Sequence, residues 1–453
     1  MRQRGPGWLR PWLISALVLG SSSAQAFNLM DAYQLALVND PVFQSAVKEY
    51  EAGLQNNIIG RSAVLPKLAA AYNQAANWAT QWGAAYSGGP QIANTYQFSS
   101  NYTYLQLTQP LFSLEAYARW RQGSAQADMS SAKFVYSNQE LLIRVMQAYA
   151  DLLFAMDQQQ FLAAERDAFH EQWKAARNMA RHGEAARIDA LEAEASYHVS
   201  AAKVIEANDG IALAKQKLES AIGAPVGPLD KVARLPVNFR MMRLATPKFE
   251  DWKQEALQTN AELKTAEHSV EVANQEYRKN HAAHYPVVNL VGSVTSQQSN
   301  TPVSIAQTTN QNYVGVQVSL PIFSGGEIYG KSSQAYSNYE KSKADYDATK
   351  ERVITEVRKQ FDLVVTSQQK IEALSLAQGS ATELVKAMRR SITFGEKTYI
   401  DVLIAEKGLY STRKDLAQAK YNYLIAYLKL YQQAGTLSLD QFGQVATYFR
   451  ATK

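Results

Sequence analysis

The chain has 453 residues, no cysteine, 19% charged residues and a formal net charge of +5. Taking away the first 26 residues removes Arg2, Arg4 and Arg10 and leaves +2, a balance that gives no sign of a nucleic-acid partner. Without cysteine there is no disulfide framework and no lipid attachment at an N-terminal cysteine, so stability must come from burial.

The first segment reads as a signal peptide, residues 1–26. Three arginines form a basic start, Leu13 to Leu19 is a short apolar core, and Ala24-Gln25-Ala26 fits a small-x-small cleavage site. The apolar core is too short to span a bilayer, and no later run reaches 18 apolar residues. Next comes a helical stretch that ends at Pro66. A strand-like hairpin is predicted over about 67–109, with Thr103, Leu105 and Leu107 alternating against Tyr102, Tyr104 and Gln106. Its polar loop is "GAAYSGGPQIANTYQ", residues 83–97, and its second run stops at Pro110. A very long helix, a turn at Gly183 and a second helix follow. A proline-bearing segment, 224–247, then leads into the same order of elements again.

The second hairpin is predicted over about 287–320, between Pro286 and Pro321. Val314, Val316, Val318 and Leu320 alternate with Tyr313, Gly315, Gln317 and Ser319, and "QQSNTPVSIAQTTNQ", residues 297–311, is the loop. Each strand is expected to have about 9–11 residues, the length of a tilted membrane strand. No proline lies between Ser324 and Gly395, so a ~70-residue helix, roughly 100 Å long, is expected there. Val353, Val357, Phe361, Val364, Ile371 and Leu374 form a narrow seam on it. Ile400, Leu403, Tyr410, Ala417, Tyr421, Leu424, Leu428 and Tyr431 form another beyond Gly395.

The two halves match at nearly constant offsets. Pro66 matches Pro286 at 220 residues and Pro110 matches Pro321 at 211. Gly183, Asp189, Lys217 and Gly223 match Gly395, Asp401, Lys429 and Gly435 at 212. The chain therefore reads as two structural repeats, 27–235 and 236–440, with a C-terminal tail at 441–453. Proline cannot donate a ladder hydrogen bond and disfavours helix at the residue before it. Pro66, Pro110, Pro286 and Pro321 are thus expected to mark the strand–helix junctions. Four strands cannot close a barrel, and open edges in lipid are not viable, so chains must combine. Three chains give twelve strands and a lumen.

At this point the residues carry a resemblance. The two-copy layout with a glycine turn in each half is similar to the TolC family of outer-membrane export channels. The strings "NDPVF", "LPKL", "EAYARWRQG" and "LYSTRKDLAQAKYNYL" resemble its type I secretion branch. The resemblance implies a mostly α fold with a membrane β-barrel: four strands per chain, a homotrimer closing a 12-stranded barrel, and a long coiled-coil α-helical barrel across the periplasm. It implies an outer-membrane location in contact with lipid, a periplasmic adaptor protein, an inner-membrane ABC transporter reached through it, and an exported protein as cargo, with no cofactor. Gly183 and Gly395 would be the adaptor-contacting turns. Asp401, Asp189, Lys397 and Tyr399 would line or lock the channel entrance, with Ile404 where the family has a second acid. The bland alternative is that Asp189 and Asp401 are solvated acids in the first turn of a helix, favoured by its dipole.

Other readings compete with this one. "GGEIYGKS", Gly325 to Ser332, fits the P-loop pattern, but the matching stretch from Ser113 to Trp120 has neither glycine nor lysine and no parallel βαβ pattern surrounds it. "HAAH", His281 to His284, has helical spacing, but no cysteine or acid completes a metal site on that face. No enzyme is predicted. The alternatives to a secretion conduit are the outer-membrane component of a drug-efflux pump of the same family and a periplasmic coiled-coil scaffold.

Overall fold

The computed structural model describes residues 27–84, 86–182, 186–236, 239–301, 304–393 and 397–449. The signal-peptide segment, Gly183 and Gly395 lie outside the described residues, as does the side chain of Tyr399.

The element order is the same twice. In the first half, α1 (Leu29–Asn39) and α2 (Pro41–Arg61) lead to β1 (Lys67–Ala84) and β2 (Gln91–Phe112). Then come α3 (Leu114–His182) and α4 (Arg187–Ile222). In the second, α5 (Phe249–Thr259) and α6 (Ala261–Ala282) lead to β3 (Val287–Thr301) and β4 (Ser304–Ser319), then α7 (Glu327–Thr393) and α8 (Tyr399–Gln433). The paired helices agree to within two residues, α3 having 69 and α7 67. A last helix, α9 (Leu439–Ala446), runs into the segment read as a tail, and Phe442, Val445 and Phe449 are buried.

Why the short helices break is visible in both halves. Asp40 caps α2, accepting from the Val42 amide at 3.0 Å, and its buried carboxylate pairs with Arg144. At the equivalent place Asn260 caps α6, accepting from the Leu263 amide at 2.9 Å and donating to the Gln433 carbonyl at 2.8 Å. A side-chain acceptor satisfies an amide that the first helical turn leaves free. Against each break sits the glycine that ends a long hairpin. Gly223 and Gly435 have φ of 63° and 78°, and a Cβ would stand 2.5 Å from the Asn39 carbonyl oxygen or 2.3 Å from the Thr259 carbonyl. These contacts belong to one large core at mid-length of the long helices. It runs through Leu141–Met156 of α3, Leu218 and Ile222 of α4, Val353–Ile371 of α7, and Leu416–Leu437 at the end of α8. There the Tyr149 hydroxyl donates to the Ala233 carbonyl at 2.8 Å, which ties α3 to the segment bridged to Phe27.

The strands form one antiparallel sheet in the order β1-β2-β3-β4. They have 18, 22, 15 and 16 residues, longer than the 9–11 expected. The polar stretches at 83–97 and 297–311 account for the excess, because most of their residues pair across the hairpins (Gln91 with Ala84, Thr308 with Gln298) instead of looping. At about 3.3 Å per residue even β3 spans about 50 Å, more than a ~30 Å hydrocarbon layer. Pro66 and Pro286 stand immediately before β1 and β3, and Pro321 two residues beyond β4. Pro110 departs from the reading. It lies inside β2, paired with Asn289, and the strand continues to Phe112 through a register shift. A bulge absorbs the missing donor there.

Register places Leu68, Leu107, Gly292 and Val314 in one row, and Leu290 beside Val316 in the same set. Opposed residues share a face, so an apolar face runs across all four strands. Leu68, Val314, Val316 and Val318 on it are all more than half exposed. β1 and β4 are unpaired edges within the chain.

Gly435→Ala would add a side chain at a left-handed φ and against the Thr259 carbonyl. It should destabilise the fold by about 1–3 kcal/mol. Gly408→Ala, in α8 with nothing within 4 Å, should be neutral or stabilising by up to about 1 kcal/mol. Denaturant midpoints of the two variants test this, and equal midpoints would show that the glycine contact carries no stability.

Candidate functional site

The residues assigned to an entrance lie where the long hairpins turn. α3 ends at His182 and α4 starts at Arg187, while α7 ends at Thr393 and α8 starts at Tyr399. The two starts are built differently. α8 opens on a capping box: the Asp401 amide donates to the Thr398 hydroxyl at 3.3 Å. The Thr398 amide and hydroxyl both donate to Asp401 Oδ2, at 2.9 and 3.1 Å. At α4 the capping position is Ala186, which offers no side-chain acceptor, and the Asp189 amide reaches only the Ala186 carbonyl at 3.1 Å.

The Thr398 amide, then its hydroxyl, and then the charge of Lys397 hold the Asp401 carboxyl below the usual carboxylate range. A depressed value means that this cap is complete at neutral pH and is lost as pH falls through the lowered value. The bland reading of Asp401 as a helix-start acid is therefore true of the residue. Both contacts fall on Oδ2, however, and Lys397 beside it is exposed. Ile404, one turn further along α8, is 63% exposed. Asp401, Lys397 and the backbone of Tyr399 thus lie together at one turn, and Asp189 lies in the first turn of the other hairpin.

A cluster above the turns went unnoticed in the sequence. The Glu406 carboxylate is 1% exposed and accepts from Gln172 Nε2 of α3 at 2.7 Å and from Arg389 Nε of α7 at 3.0 Å. It joins three long helices at one buried point. The signal was present, because Glu406 falls between Leu403 and Tyr410 at a seam position that should be apolar. Higher up, Tyr410 donates to the Ala164 carbonyl at 3.2 Å and Tyr421 to Asp157 Oδ2 at 2.7 Å. Burial pushes the Asp157 carboxyl up, against the opposing effect of the Tyr421 hydrogen bond. These three ties fasten α8, in the second hairpin, to α3, in the first.

The P-loop-like stretch is the start of α7. The Gly330 amide donates to the Gly326 carbonyl at 2.9 Å, and Lys331 pairs with Glu327 one turn back, so the backbone amides form no phosphate cradle. His281 and His284 stack edge to face at 5.8 Å, with Tyr277 and Tyr285 beside His281. Among the described residues no cluster of three metal-ligating side chains occurs.

The family model described as outer membrane efflux protein matches twice, over residues 32–224 and 252–436, in line with the duplicated element order. The chain is 36% identical to the alkaline protease secretion protein AprF of Pseudomonas aeruginosa, over 97% of this chain and 91% of the relative. It is 32% identical to the proteases secretion protein PrtF of Dickeya chrysanthemi, over 97% and 95%. It is 28% identical to the outer membrane protein TolC of Escherichia coli, over 95% and 87%. The CmeC outer membrane channel of Campylobacter jejuni superposes with a TM-score of 0.77 at 15% identity, covering 100% of this chain and 95% of that one, a likeness that carries the fold. An exposed apolar sheet face, a pair of helical hairpins in each chain and a family match over both halves converge: the chain belongs to the outer membrane efflux protein family and is an outer-membrane channel whose helices extend into the periplasm.

Proposed function

We propose that the chain is the outer-membrane conduit of a type I secretion system, passing a protein cargo of the protease class from the cell to the exterior without chemistry of its own. The observation that carries this is near-full-length similarity to two protease secretion proteins, above the similarity to TolC. Three copies would place twelve strands edge to edge and satisfy the free edges of β1 and β4. The α3–α4 and α7–α8 hairpins would then form a tunnel about 100 Å long. Its turns, around Gly183 and Gly395, would meet a periplasmic adaptor that couples it to an inner-membrane ABC transporter. A drug-efflux role is the second reading, favoured by the likeness to TolC. Deleting the gene should abolish accumulation of the secreted cargo in the medium and leave drug susceptibility within twofold of the parent. Unchanged secretion with a large gain in drug susceptibility would replace this reading with the second.

In this reading the α7–α8 turn holds the entrance narrow. Replacing Lys397 by alanine and Tyr399 by phenylalanine together should raise single-channel conductance in planar bilayers severalfold. Unchanged conductance would remove the lock from this turn.

Three copies of Asp401 would form one acidic ring, since Ile404 stands where a second acid would be. Like charges at a constriction create a strong local field and attract multivalent cations. Conductance should be cation-selective and blocked by trivalent or divalent ions added from the periplasmic side. Asp401→Asn should weaken that block at least tenfold and leave assembly intact. A variant blocked as well as the parent would leave Asp401 with its capping role alone.

A further inference from the structure

The two strand hairpins carry no charge. From Leu68 to Leu114, and from Tyr285 to Gly326, the sequence has no Asp, Glu, Lys or Arg. On the apolar face of the sheet, Gln74, Asn101, Gln298 and Thr308 form one row across all four strands, and that row is wholly polar. Tyr72 lies on the same face of β1, one row closer to the helices. The hydrocarbon therefore ends between these two rows, with Tyr72 at the boundary where an aromatic ring is favoured. Because the helices extend into the periplasm, the strands beyond Gln74 lie outside the cell.

Past the Ser100–Ser299 pair, β1 and β2 are paired only with each other among the described residues, from Ala76–Ser99 to Ala84–Gln91. This ribbon runs on for about 30 Å. Two strands alone are marginal in water, so a surface that covers them adds to their order. The register of β1 on β2 is unbroken, and the lipid-side face of the sheet continues along the ribbon. That face holds Trp78 and Trp82, which are 70% and 66% exposed. They stand four and eight residues beyond Gln74, too far out to anchor the strand at the hydrocarbon boundary. Gln97 is opposite Trp78, Ala93 is opposite Trp82, and the Thr80–Thr95 pair lies between them. On the lumen side of the ribbon, Tyr96 and Phe98 are half-buried instead.

We propose that Trp78 and Trp82 form a platform for neutral sugar rings, occupied by the saccharide headgroups of the outer-leaflet glycolipid, lipopolysaccharide. A sugar ring offers a face of C–H bonds to the negative face of an indole, and its rim of hydroxyls meets Thr80, Thr95 and Gln97. The two indoles are about 13 Å apart along the strand, which leaves room for a short run of linked rings. Continuity selects the occupant. The platform is the outward extension of the face that sits in lipid, at the height where acyl chains give way to sugars. The missing charges select the part of the glycolipid that is bound. Phosphate recognition uses Lys or Arg, and the ribbon has neither. The contact is independent of the cargo that the channel carries.

The test is retention of glycolipid by the full chain. The protein is reconstituted into phosphatidylethanolamine vesicles that carry either lipopolysaccharide with a complete sugar core or lipid A, then re-extracted in mild detergent. The parent should retain at least threefold more lipopolysaccharide than lipid A. Trp78→Ala with Trp82→Ala should bring lipopolysaccharide down to the lipid A level. Trp78→Phe with Trp82→Phe keeps the ring faces and should hold it within twofold of the parent, while lipid A is retained equally by all three. Equal retention of the two glycolipids by the parent overturns the proposal without any variant. An alanine variant that retains as much lipopolysaccharide as the parent overturns it too. So does a loss of lipid A as large as the loss of lipopolysaccharide, which would make the indoles ordinary membrane anchors.

Discussion

The constraint behind this structure is the backbone of a strand edge in hydrocarbon. Each unpaired amide or carbonyl there costs several kcal/mol, and a four-stranded sheet has two such edges. β1 and β4 cannot reach each other across a sheet of four strands, so the chain cannot meet this demand alone. The apolar face that runs from Leu68 to Val318 makes the demand unavoidable, because only lipid suits a face so exposed and so apolar. Assembly is in this sense written into the sheet before any helix is considered. The helices inherit a ring because the strands need one.

Duplication is the economical answer to that need. Each half supplies one strand pair and one long helical hairpin, and the same local devices recur at each place. A side-chain cap at Asp40 or Asn260 ends one helix and starts the next, and a left-handed glycine at 223 or 435 closes the hairpin against that break. The copies differ in the strands and also toward the turns. Thr398 caps the second hairpin while Ala186 leaves the first uncapped, and Glu406 is buried and paired with Arg389 where Glu194 is partly exposed on α4.

Much of this could be read in the sequence, for physical reasons that also explain the failures. The long helices were legible because a seam at spacings of three and four persists over seventy residues without proline. Val353, Val357, Val364 and Ile371 are buried as that period requires. The strands were legible only where apolar and polar residues alternate. Beyond that zone a barrel strand leaves the membrane and needs no apolar face, so Gln91–Gln97 and Gln307–Gln311 looked like loops and are ladder-paired. Pro110 misled because a bulge can host proline within a strand. For Asp401 the sequence offers an entrance residue or a solvated first-turn acid favoured by the helix dipole, and the capping box with Thr398 is visible only in the geometry. Glu406 was passed over because a charged residue in a seam reads as an interruption, when its partners come from 17 residues before it and from the other hairpin.

The position of Glu406 also has a mechanical meaning. It is the last tie between the two hairpins among the described residues, and α3 continues past Gln172 for ten more residues, to His182. That length extends about 15 Å past the last cross-brace and is supported by its own hairpin partner α4, where Trp173 stacks on Tyr197. A tilt of about four degrees at the brace displaces the outer end by about 1 Å, with little change in the packing above it. Stiffness at mid-length and compliance at the turns are then two properties of the same continuous helix, divided by where its last cross-brace falls.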